Sequence, residues 1–170
     1  MKAINFVLVT FFLLLLSCNN SQAEIEAKEN LIKTNLTIFI ESFQNQKDNS
    51  NLKNIVEENY VRKMNSVIVA SNLQELKANI NVFFGGFPDF ELVNKKSYIK
   101  ENDVFVYWTF TGTNISEFAE QPATGKRVTV NGFSHMYFNN NGKLYKEDVF
   151  YNELDLLQQL GYTLVLPVVE

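Results

Sequence analysis

The apolar positions of this chain change their period once. From Glu24 to Lys47, Ile25, Ile32, Leu36, Phe39 and Phe43 recur at helical spacing, which predicts a helix with one buried stripe. "KDNSN" ends it, and a shorter helix is expected from Leu52 to Asn59. The next is expected near Asn72, where "NLQE" sets an Asn three residues before a Glu, a variant of the capping box. Leu73, Leu76, Ile80 and Phe83 form its stripe, and "GGFPD" stops it because Gly and Pro both break helices. Beyond that point the period falls to two. Four strands are expected: "DFELVNKKSYI", "VFVYWTFTGTN", "RVTVNGFSHMYF" and "KLYKEDVFY". "EFAEQPATGK" reads as a loop in which Pro122, Thr124 and Gly125 shape a turn. "NNNG" joins the last two strands as a hairpin, since Asn and Gly tolerate positive φ. A final helix covers "NELDLLQQLG", with Asn152 as N-cap and Gly161 just past its end. The tail "YTLVLPVVE" is apolar and suited to covering a sheet edge or a partner subunit.

Helices followed by strands point to an α+β fold rather than to alternating βαβ units. The expected architecture is a curved antiparallel sheet with the N-terminal helices packed on one face, enclosing a cavity. A length of 170 residues suits one domain, and 46% hydrophobic and 14% aromatic residues suffice for its core.

The start of the chain stands outside this pattern. "MKAINFVLVTFFLLLLSC" has an early lysine and then an apolar run from Ile4 to Leu16, too short to span a bilayer, which needs about 20 residues. It has the form of a secretory signal. Its ending "LLSC" resembles the lipobox of bacterial lipoproteins, in which the cysteine is lipidated. That divides the chain into a signal peptide (1–17), a polar tether (18–25) lipidated at Cys18, and a folded domain (26–170). It implies a lipid-anchored protein of the cell envelope. Cys18 is the only cysteine, so no disulfide forms within the chain.

Charge and motifs narrow the chemistry. The net charge of −4 and the lack of a Lys/Arg stripe argue against nucleic acid as a partner. One His and one Cys leave no His/Cys metal cluster. The sequence has no G-x-S-x-G elbow, phosphate loop or dinucleotide fingerprint.

Three stretches carry a family resemblance: "FPDFEL" (87–92), "VYWTFTGTNISEFAEQPATGKRVTVNGF" (106–133) and "NNGKLYKEDVFYNELDLLQQLG" (140–161). Together they resemble the SnoaL-like polyketide cyclases, or ester cyclases, over roughly residues 26–161. The resemblance implies the cone-shaped nuclear transport factor 2-like fold. It also implies cofactor-free ring closure of a small apolar carbonyl compound, by a carboxylate acting as general acid and base near the end of the last strand. Burial in an apolar pocket suits a carboxyl to both roles by raising its pKa.

Strand alternation assigns the side chains to faces. On "RVTVNGFSHMYF", the mostly apolar set with Ser134 and Met136 is expected to face the cavity, and His135 the other side, among residues suited to a sheet-to-sheet homodimer contact. A bulge at Gly132 would reverse that assignment. In many relatives a His stands where this chain has Ser134. On "KLYKEDVFY", the resemblance places Leu144, Lys146, Asp148, Phe150 and Asn152 at the cavity, and Tyr145, Glu147, Val149 and Tyr151 opposite. Relatives tend to have Trp at 148 and Asp at 152. Asn152 cannot shuttle a proton, so Asp148 is the candidate catalyst, against the alternative of a strand-end Asp paired with Lys146. Trp108, Val106 and Phe110 are expected in the core or pocket wall, Asp89 at a turn, and Tyr60 near the pocket. The expected binding set is Trp108, Ser134, Met136, Phe150 and Asn152, with no metal and no organic cofactor. Three functions fit: a cofactor-free cyclase or isomerase, an envelope module that binds a small apolar molecule, or a dimerising scaffold without turnover.

Overall fold

The computed structural model describes residues 22–42 and 49–166. The apolar N-terminal run, Cys18, Phe43 and residues 167–170 lie outside them. Helix α1 (residues 22–42) buries Ile32, Leu36 and Phe39, while Ile25 stays exposed. A buried polar contact ties it to the far hairpin, because Asn35 Nδ2 donates to the Gly142 carbonyl at 2.7 Å.

The expected second helix is corrected. Helix α2 (Leu52–Ile55) is a single turn, and the chain then runs as strand β1 (Val56–Met64) and strand β2 (Val67–Ala70). Glu57, Glu58 and Asn59 are poor strand formers, which hid β1 in the sequence. Tertiary pairing overrides that preference: β1 runs parallel to strand β6 (Leu144–Tyr151) and pairs with it from Val61↔Lys146 to Met64↔Val149.

Helix α3 (Leu73–Gly86) starts as its sequence predicts. Asn72 Oδ1 accepts from the Glu75 N–H at 2.8 Å, and the Glu75 carboxylate reaches back to the Ser71 N–H at 2.7 Å. Strands β3 (Glu91–Lys100), β4 (Asp103–Thr113) and β5 (Arg127–Phe138) follow, and helix α4 (Glu153–Leu160) comes after β6. Asn152 caps α4 through the Asp155 N–H, and Gly161 ends it at φ 101°.

The six strands form one sheet in the order β2-β1-β6-β5-β4-β3, two strands more than expected. The β1–β6 pair is parallel and the others antiparallel, so the curved sheet is mixed rather than wholly antiparallel. The α+β class holds. Strands β4 and β5 pair without interruption from Asp103↔Tyr137 to Thr113↔Arg127. Two interruptions elsewhere matter for the site. In β3 the register slips between Asn94 and Lys96. In β6 it slips after Leu144, which faces Phe138, so that Lys146 faces Tyr137 and Tyr145 is the extra residue.

The inner face of the sheet and the helices share one core that includes Val104, Val128, Val130, Met136 and Phe138. Asp89 fastens the end of the sheet, accepting from the Thr113 N–H and hydroxyl and from Arg127. Its slight burial pushes its pKa up, but these donors outweigh that and hold the carboxyl below its ordinary value. Asn114 Oδ1 accepts from the Thr124 N–H at 2.8 Å and Gly125 sits at φ 70°, which fixes the turn after Pro122. The described part of the tail is exposed, with Leu166 at 92%.

Candidate functional site

A pocket opens between the inner face of the sheet and helices α1, α3 and α4. Together with the open solvent at its mouth, it spans about 780 Å³. Its walls are mainly apolar: Phe39 and Ile40 from α1, Phe83 from α3, Leu156 from α4, and Val106, Trp108, Phe110, Met136 and Val149 from the sheet. Phe90, Leu92 and Met64 complete them. Five polar residues break this lining: Arg62, Asn94, Ser134, Glu147 and Tyr151.

Glu147 is the carboxylate of the pocket. It is 2% exposed. Its Oε2 accepts from the Tyr60 hydroxyl at 2.8 Å and lies 3.5 Å from Arg62 Nε. Tyr60 and Arg62 both come from β1, the strand whose sequence conceals it. Burial, then the Glu147 charge, push the Tyr60 pKa well above its ordinary value, so this phenol stays protonated and donating. Tyr151, the last residue of β6, is pushed up to about 12 by burial and by the Glu153 charge.

The Trp108 indole lies over Gly132. A Cβ at that glycine would come within 2.1 Å of the indole, so only Gly lets the ring sit there. The indole Nε1 then donates to Ser134 Oγ at 3.0 Å. This bond holds a large apolar surface against the pocket while satisfying its one polar atom.

Of the residues singled out from the sequence, Trp108, Ser134 and Met136 line this pocket. Asp148, Phe150 and Asn152 are absent from its lining. The face expected for β6 is therefore reversed from Lys146 onward. The extra residue at Tyr145 slips the pairing by one, and a slip of one exchanges every side chain between faces. Glu147, Val149 and Tyr151 point inward. Phe150 is 45% exposed, and Asn152 serves as the N-cap of α4. Asp148 accepts from Tyr137 at 3.0 Å and pairs with Lys146 at 2.8 Å. Its partial burial raises its pKa, but these two donors and the Lys146 and Lys63 charges hold it below the ordinary carboxylate value. That is the ion-paired alternative, on the outer face of the sheet. Glu147 was missed because nothing in the sequence marks the bulge that turns it inward.

His135 answers to the same alternation without a slip. Gly132 lies within the uninterrupted β4–β5 ladder, so His135 stays on the outer face. Its Nε2 pairs with Asp103 at 2.5 Å, and its ring packs on Phe105 and Tyr137. Among the described residues, no three His, Cys, Asp or Glu side chains cluster to hold a metal ion.

A family model described as SnoaL-like polyketide cyclase matches residues 34–160. Among solved structures, TsrD from Streptomyces laurentii superposes with a TM-score of 0.69 at 17% identity, over 78% of this chain and 96% of that one. A SnoaL-like polyketide cyclase from Agrobacterium tumefaciens gives 0.62 at 18% identity, over 76% and 98%. A phenazine biosynthesis-related protein from Pseudomonas aeruginosa gives 0.63 at 17% identity, over 85% and 96%. At these identities the likeness is one of fold, which carries many chemistries. No curated protein sequence matches the chain.

Proposed function

The chain belongs to the SnoaL-like polyketide cyclase family, and from that premise we propose that its pocket takes a small, largely apolar carbonyl compound on which Glu147 performs proton transfer. The observation that carries this reading is a nearly fully buried carboxylate opening into an apolar pocket. The carboxylate takes a proton from a carbon next to the carbonyl, leaving an enolate, and returns it at a new position or after ring closure. Tyr60 and Arg62 hold Oε2 and so orient the group. The catalytic role that the family resemblance suggested for Asp148 passes to Glu147.

The test uses 1-tetralone in D₂O, followed by NMR. The protein should speed exchange of the protons beside the carbonyl. Glu147→Gln should abolish the acceleration and Asp148→Asn should keep it. Binding of 1-tetralone without exchange would favour the second reading, a cavity that only binds. That reading is supported by Glu147 already having both a phenol and a guanidinium on one oxygen.

The proposal extends to cellular setting. Cys18 is taken as the lipidation site that anchors the domain in the cell envelope, which metabolic labelling with a fatty acid would test. The outer face of the sheet, where Tyr98, Tyr107 and Tyr145 are exposed, is taken as a homodimer contact, which sedimentation would test.

A further inference from the structure

Asn94 lines the pocket, and the protein leaves its side-chain oxygen unanswered. Asn94 Oδ1 is buried and has no hydrogen-bond partner. A buried acceptor without a donor is costly, and of the three asparagine oxygens in that state among the described residues, Asn79, Asn94 and Asn102, only that of Asn94 belongs to a residue lining the pocket. Asn94 is also where β3 slips its register. Asn94 faces Trp108, and the next paired residue, Lys96, faces Tyr107. The extra residue turns Lys96 and Tyr98 to the outer side and leaves Asn94 as the last inward residue before the slip. Bulges of this kind re-aim side chains beside binding sites.

Register places this amide far from the carboxylate. Asn94, Trp108, Gly132 and Tyr151 form one row across the sheet, and Glu147 lies on β6, three strands from β3. At roughly 4.8 Å per strand, that separation is on the order of 14 Å before the sheet curves. One small polar group cannot serve both.

We infer that Asn94 is a specificity-determining residue: it selects ligands that carry a hydrogen-bond donor, such as a hydroxyl, an enol or an N–H, at the end remote from Glu147. The apolar body of such a ligand lies along Trp108 and Phe110, and its donor reaches Oδ1 as the Asn94 amide turns that oxygen into the pocket. This inference rests on the pocket being a small-molecule site, as proposed above, and is independent of whether Glu147 catalyses.

The experiment is calorimetric titration of the full-length chain with 2-naphthol and with its methyl ether, which has the same body but no donor. The wild type should prefer 2-naphthol by about tenfold, the scale of one net hydrogen bond. Asn94→Leu should lose that preference while binding the ether at least as well. Asp148→Asn, on the outer face of the sheet, should retain it. A preference that survives Asn94→Leu overturns the inference. If it vanishes instead in Glu147→Gln, the carboxylate receives the donor and the pocket reading still stands. If neither compound binds the wild type, the pocket reading fails and the Asn94 assignment falls with it. A readout without substitution guards against a misfolded variant. The side-chain amide resonances of Asn94 should move with 2-naphthol and stay still with the ether, and equal responses would also overturn the inference.

Discussion

Two neighbouring carboxylates on β6 have nearly the same partners and opposite surroundings. Glu147 accepts from Tyr60 and lies beside Arg62; Asp148 accepts from Tyr137 and pairs with Lys146. Each has one phenol and one cation as partners. Their surroundings separate them. Glu147 and Arg62 are enclosed, with side chains 3% and 10% exposed, so both charges have given up water and depend on each other. Lys146 is 32% exposed and shares its charge between Asp148 and the face of the Tyr137 ring. The comparison teaches that a carboxylate's role follows from which side of the sheet it occupies. Parity along the strand sets the side only until a bulge intervenes.

The sharpest way to break this contrast is to remove one cation at a time. Arg62→Met should destabilise the fold by about 3 kcal/mol in urea denaturation, because it strands a buried charge. Lys146→Met should cost about 0–1 kcal/mol, as for other ion pairs near the surface. Equal losses would remove the distinction between the faces. Next in size is Gly132→Ala. It should cost about 1–3 kcal/mol by forcing Trp108 from its seat, and should shift the emission of the only tryptophan in the chain. The tyrosines give a paired test of similar size. Tyr60→Phe should cost about 1.5–3 kcal/mol, the range for a hydrogen bond to a charged group. Tyr137→Phe should cost less than Tyr60→Phe, since water can replace its hydroxyl.

The smallest expected effect is pH dependence on the outer face. The Asp148 pKa is lower in the folded chain than its ordinary value, so its contribution to stability is complete above the unfolded pKa of about 3.9. It is lost as pH falls through the lower folded value. Thermal melts of the wild type and Asp148→Asn should therefore differ by a constant amount above about pH 5 and converge on acidification below that. A gap that widens in acid would contradict the ion-paired assignment.

Much of the fold was legible because local rules acted alone. The Asn72 and Asn152 caps, the Gly161 terminus and the four strands after the helices each depend on residues close in sequence. The binding wall of Trp108, Ser134 and Met136 was legible for the same reason, since β4 and β5 pair without a slip. Strand β1 was hidden because its polar residues acquire strand geometry only from pairing with β6, more than eighty residues away by the Val61↔Lys146 register. Glu147 was hidden by the register slip in β6, whereas Asn94 lies before the slip in β3 and keeps the face that alternation with Leu92 gives it.

The sequence by itself determined the α+β class, the order of most elements, the ends of α3 and α4 and the apolar character of the cavity wall, since periodicity and capping are properties of short segments. Only the tertiary structure decided that Glu147 rather than Asp148 faces the cavity, that Tyr60 and Arg62 meet it there, and that Asn94 is left without a partner. The first of those outcomes turns on one extra residue in β6. An extra residue reverses the face of all that follows it, and its position is set by the neighbouring strand rather than by the residues themselves.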